Sequence, residues 1–109
     1  MINVRIYVNS EDDIEGFCVK GHAGAGTEGN DIVCSAVSTV AYTVIGSLQE
    51  LAGIDGAEIK EGLMKFRIPT DILPDKVDLV SVIFAVMEVG FQQIAASYGS
   101  YVKVEYKEV

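Results

Sequence analysis

His22 and Cys34 are the two side chains whose pairing would do the most chemistry here, one the sole histidine and the other one of two cysteines. A thiol that hands its proton to an imidazole becomes a thiolate able to attack a carbonyl carbon, and the imidazolium can later return that proton to a leaving amine. Cysteine proteases need that pair. Ser38, four residues beyond Cys34, falls on the same helical face and could hydrogen-bond at the site or point into a small polar niche. Asp31, three residues before Cys34, could orient His22 or cap a helix, the commoner task of a carboxylate there and worth about 1 kcal/mol.

These residues need elements to hold them. From Gly21 to Gly29 runs a stretch with Gly21, Gly24, Gly26 and Gly29, a density that forbids regular structure and predicts a mobile or tightly curved loop. Asn30 or Asp31 is predicted to cap a helix running to about Leu51 with an apolar stripe at Val33, Val37, Val40, Val44, Leu48 and Leu51. Cys34 would then lie in the first turn, where unpaired N–H groups and the macrodipole favour a thiolate and could hold an oxyanion. His22 would follow a strand over Ile14 to Lys20 that pairs with an alternating strand over Ile2 to Val8. Cys18 lies inside the second strand beside Phe17 and Val19 and reads as an inert, buried thiol.

Downstream, Ala57 to Lys60 and Leu63 to Ile68 flank Glu61-Gly62 as a second hairpin. Pro74 opens a helix carrying Val80, Phe84, Met87, Phe91 and Ile94, with Gly99 able to end it. Tyr101 to Tyr106 forms a closing strand. The order is therefore ββαββαβ, an α/β chain of the α+β type: one domain over residues 1–109, with a mostly antiparallel sheet packed against two helices.

Composition narrows the choices. With 109 residues, half of them hydrophobic, the chain supports one core. A formal charge of −8 argues against direct nucleic-acid binding, and a basic protein is the more natural macromolecular partner. Ile32 to Ile54 reads as too polar to span a membrane, and the start of the chain lacks a signal-peptide pattern, so a cytoplasmic protein without membrane contact is expected. Both cysteines should then stay reduced. No cofactor or metal is expected, because Cys18, His22, Asp31 and Cys34 lack the paired spacings of a zinc site. Gly24 to Gly29 satisfies G-x-G-x-x-G, yet Glu28 and Asp31 would repel a pyrophosphate. Spacing by itself leaves open both a catalytic pair and a non-catalytic anion-binding module built on Gly24 to Gly29.

Gly21-His22-Ala23, the glycine-rich stretch to Gly29, then Asp31-Ile32-Val33-Cys34 with Ser38 one turn on, closely resemble the ribosomal-processing cysteine proteases of the Prp family. The likeness extends over the whole chain in the order and length of its elements. It implies an endopeptidase that removes a short N-terminal extension from large-subunit ribosomal protein twenty-seven during ribosome assembly. Under that resemblance Cys34 is the nucleophile, His22 the base, the glycine-rich loop orders around substrate, and the subunits form a homodimer. The non-catalytic alternative, under the same resemblance, is a ribosome-assembly module built on Gly24 to Gly29.

Overall fold

The computed structural model describes residues 1–21 and 28–109, the side chains of residues 28–31 excepted. Strands β1 (Ile2–Val8) and β2 (Ile14–Lys20) form the expected antiparallel hairpin. Its turn is held by Asn9, whose side-chain oxygen accepts the N–H groups of Glu11 at 2.8 Å and Asp13 at 3.1 Å. Alternation sends Val4, Ile6, Phe17 and Val19 into the core and leaves Asn3 and Arg5 exposed on the opposite face.

Helix α1 (Glu28–Ala52) ends where its stripe predicts but begins earlier. Asn30 and Asp31 therefore lie inside the helix, which corrects their reading as caps. At the far end Gly53 takes φ 68° and donates its N–H to the Gln49 carbonyl at 3.1 Å.

Strands β3 (Glu58–Lys60) and β4 (Leu63–Arg67) form the second hairpin, with Gly62 at φ 73° in the turn. A 3-10 turn at Pro74–Lys76 leads into α2 (Val77–Ser97), and β5 (Val102–Glu108) closes the chain. The five strands run in the order β3-β4-β2-β1-β5. The β3–β4, β4–β2 and β2–β1 pairs are antiparallel, while β5 lies parallel to β1 because α2 carries the chain back along the sheet.

Both helices cover one face of the sheet. Val33, Val37, Ala41, Val44 and Leu48 of α1 and Val80, Phe84, Met87 and Phe91 of α2 are buried against it. Phe17 and Phe91 stack tilted at 6.1 Å between centroids, and Phe66 and Phe84 at 6.3 Å. Each such ring contributes about 1.5–3 kcal/mol by leaving water. By length and composition alone Ile32–Ala52 and Pro74–Ser97 are each apolar enough to cross a membrane, contrary to the reading of the first as too polar. In this fold one apolar stripe of each is buried in the shared core, while Val82, Val86 and Val89 of α2 stay exposed.

Candidate active site

Cys34 lies on the half-buried side of α1, next to the fully buried Val33 and one turn before Val37. With the helix starting at Glu28, Cys34 is in the second turn, not the first. The four amides that begin a helix unpaired precede it, and the macrodipole fades within the first turn. A thiolate or an oxyanion held by the helix start is thus not what the backbone offers at Cys34, and the first-turn placement is corrected.

The helix does offer a row. Cys34, Ser38 and Tyr42 follow one another at i, i+4 and i+8 and all line one cleft of about 250 Å³. The opposite wall comes from the sheet: Ile2 opens β1, Val19 lies near the end of β2, and Lys60, Glu61 and Gly62 form the β3–β4 turn. Ser38 and Cys34 are brought together as their spacing predicts. Tyr42 extends the same row and was legible on that ground, whereas the hairpin wall arrives from nearly thirty residues away and left no local signal.

Gly21 stands at the edge of this wall. It takes φ 96°, donates its N–H to the Gly62 carbonyl at 2.9 Å, and lies so near the start of the chain that a Cβ would meet the Met1 carbonyl oxygen at 2.8 Å. Only glycine satisfies both constraints. Gly21 also lines the cleft that Cys34 lines. His22 follows it across one peptide bond, about 3.8 Å from Cα to Cα, but His22, Gly24 and Gly26 themselves lie outside the described residues. So do the side chain of Asp31 and the surroundings of Gly29, both of which belong to the start of α1.

Cys18 is placed differently from its sequence reading. Phe17 and Val19 face the core, so Cys18 between them faces away from it, half-buried on the open side of the sheet with Arg5 and Lys65 as cross-strand neighbours. No disulfide joins it to Cys34. A larger cleft, of about 520 Å³, opens at the other end of the sheet among Asn9, Asp13, Ile72, Asp78 and Ser81, and it holds neither cysteine.

A helix-borne thiol in a cleft between a helix and a hairpin, beside a glycine that leads into the sole histidine, has the makings of a cysteine protease. The sequence model of the cysteine protease Prp family matches residues 1–103, and the chain belongs to that family. The ribosomal processing cysteine protease Prp of Staphylococcus aureus is 31% identical over 111 residues, covering 98% of this chain and all of that protein. The crystal structure of SMU.848 from Streptococcus mutans superposes with a TM-score of 0.84 at 26% identity, over 100% of this chain and 96% of that one. Staphylococcus aureus Prp with a substrate peptide gives 0.79 at 26% identity, and with a covalently linked product peptide 0.78 at 27%, each covering 98% of this chain and 100% of that one. The α+β fold expected from the sequence is the fold these proteins share.

Proposed function

We propose that this protein is an endopeptidase that removes a short N-terminal extension from large-subunit ribosomal protein twenty-seven during ribosome assembly, with Cys34 as nucleophile and His22 as general base and acid. The observation that carries it is that Cys34 and Gly21, the residue preceding His22, line the same cleft. The Cys34 thiol gives its proton to His22, and the sulfur attacks the scissile carbonyl carbon. The tetrahedral intermediate collapses, the C–N bond breaks, and His22 returns the proton to the departing amine. Water then adds to the thioester, again losing a proton to His22, and the carboxylate product leaves as the thiol re-forms.

Ser38 supplies a polar wall beside the sulfur, and Asp31 is a positioning residue for His22. The Staphylococcus aureus relative has been crystallised with a substrate peptide and with a covalently linked product peptide, which supports a peptide substrate here. The work belongs in the cytoplasm, where ribosomal proteins are made. A homodimer is supported by Val82, Val86 and Val89, which stand on one face of α2 with exposures of 60%, 65% and 56%. Val86→Glu should then shift the protein from dimer to monomer in sedimentation, and an unchanged dimer would remove α2 from the interface. The activity itself is tested by incubating the N-terminally extended ribosomal protein with wild type and with Cys34→Ala. One shortened mass with wild type alone is expected, and an uncut substrate would overturn the substrate assignment.

A further inference from the structure

The eight Lys and Arg residues of this acidic chain are not scattered over its surface. The core side of the sheet takes Val4, Phe17 and Val19, so their strand neighbours face the side that neither helix covers. On that bare side Lys60, Lys20 and Lys103 stand in one row across the strands. Lys65 and Arg5 stand in the next row, and Arg67 and Lys107 in a third. Only Lys76, in the 3-10 turn before α2, lies elsewhere.

Three carboxylates meet the face, Glu58 and Glu105 in the middle row and Glu15 beside Arg67. Seven cations against three anions give the face +4, and the rest of the chain, with one cation against thirteen anions, carries −12. The total of −8, which argued against contact with phosphates, is a sum over two unlike surfaces. Lys60 pairs with Glu58 at 3.0 Å and Lys103 with Glu105 at 3.6 Å, while Arg67 reaches Glu15 at 3.7 Å. Exposed pairs of this kind are worth about 0–1 kcal/mol and exchange readily for another anion.

The face offers little besides charge. Its one aromatic, Tyr7, is 6% exposed, covered by Lys65 and Arg67 at 5.8 and 5.4 Å from the ring centroid. A protein partner would want buried aromatic or aliphatic anchors at its centre, and a lipid surface would want apolar side chains to insert. A phosphate backbone wants a regular array of cations. Strands about 4.8 Å apart, carrying cations on alternate residues about 6.8 Å apart, supply one some 19 Å wide, the length of roughly five or six nucleotides at 3.4 Å each.

We propose that the open face of the sheet is a docking surface for the phosphate backbone of RNA. The choice of RNA among polyanions rests on the ribosomal-processing reading, whereas the choice of phosphate rests on the face alone. The acidic remainder of the surface repels the same polyanion, so docking is restricted to one side of the molecule.

Fluorescence anisotropy of a labelled single-stranded RNA of about 20 nucleotides, titrated with the full chain between about 25 and 200 mM salt, tests this directly. About five phosphate contacts predict a log–log salt slope near −3.5. Replacing Arg5, Lys65 and Lys103 together by Gln should weaken binding on the order of 100-fold at 0.1 M salt and flatten the slope by about 2. Glu58→Gln with Glu105→Gln should tighten it, and Lys76→Gln should leave it unchanged, all with wild-type circular dichroism. No binding at the lowest salt would overturn the proposal. So would a triple variant that binds like wild type, or equal affinity for a polyglutamate of the same length or for phosphatidylserine vesicles. Cleavage is read separately by mass, so a chain that cuts but does not bind RNA sinks this proposal alone, and one that binds but does not cut sinks the protease reading alone.

Discussion

Cys34 and Cys18 carry the same side chain and are both half-buried, yet the fold surrounds them in opposite ways. Cys34 lies on a helix in a cleft whose far wall is a hairpin and whose edge is the glycine that leads to His22. Cys18 lies on a strand on the open side of the sheet, with Arg5 and Lys65 as its cross-strand neighbours. What distinguishes Cys34 from Cys18 is therefore the cleft and the glycine leading to the sole histidine, not burial or the helix start, since Cys34 lies beyond the helix's unpaired amides.

The sharpest way to break the contrast is to remove each sulfur. Cys34→Ala should lower cleavage of the extended ribosomal protein by more than about 1,000-fold, and His22→Ala should do the same without a further loss in the double variant. Cys18→Ala should leave the rate within about twofold. Equal losses at the two cysteines, read by product mass, would end the comparison.

Two glycines extend it to the backbone. Two residues before Cys18, a Cβ at Gly16 would collide with the Phe66 carbonyl oxygen, a clash with β4 itself. Gly16→Ala should therefore break the β2–β4 pairing and lower the melting temperature by more than about 10 °C. Beside Cys34, Gly21→Ala meets both the φ of 96° and the Met1 carbonyl. It should cost about 1–2 kcal/mol of stability and slow cleavage by about tenfold or more, because it moves the point from which His22 starts. A Gly21→Ala variant that is destabilised yet fully active would detach that wall from the chemistry.

The smallest effect lies far from both sulfurs. Burial, and then its hydrogen bond to Glu88, raise the pKa of Tyr106, whose hydroxyl donates to Glu88 at 2.6 Å and accepts from Gln92 at 2.9 Å. A native pKa above the unfolded value of about 10 means this stabilisation is complete below that pH and fades as pH rises through the native value. Tyr106→Phe should cost no more than about 0.5 kcal/mol at neutral pH for so exposed a bond. It should also remove part of the alkaline decline in denaturant midpoint, and an identical decline in both proteins would dismiss the contact.

Local periodicity made most of the fold readable. Alternation in β1, β2 and β5, the stripes of α1 and α2, and Gly62 in its turn are all signals within a few residues, and each element formed. The start of α1 lies earlier than its sequence suggests, because Asn30 and Asp31 are strong caps in isolation whereas the helix begins at Glu28. Cys18 was misjudged because its neighbours were read as its company, although alternation sends them to the other face. Cys34 and Ser38 were found together through helical spacing. Lys60, Glu61 and Gly62 were not found, since only the pairing of β4 with β2 brings that turn to the cleft. The two-sided charge was hidden for the same reason, being a property of register across five strands.

The parallel pairing of β5 with β1 sets the two chain ends at opposite poles. Ile2 pairs with Val102 at the pole where Cys34 sits, and Val8 pairs with Glu108 at the other. Anything fused ahead of Met1 therefore emerges beside the cleft that Cys34 lines, whereas a handle fused behind Val109 leaves from the remote side. Purification tags, immobilisation chemistry and fluorescent reporters belong on the latter if turnover is to be measured undisturbed.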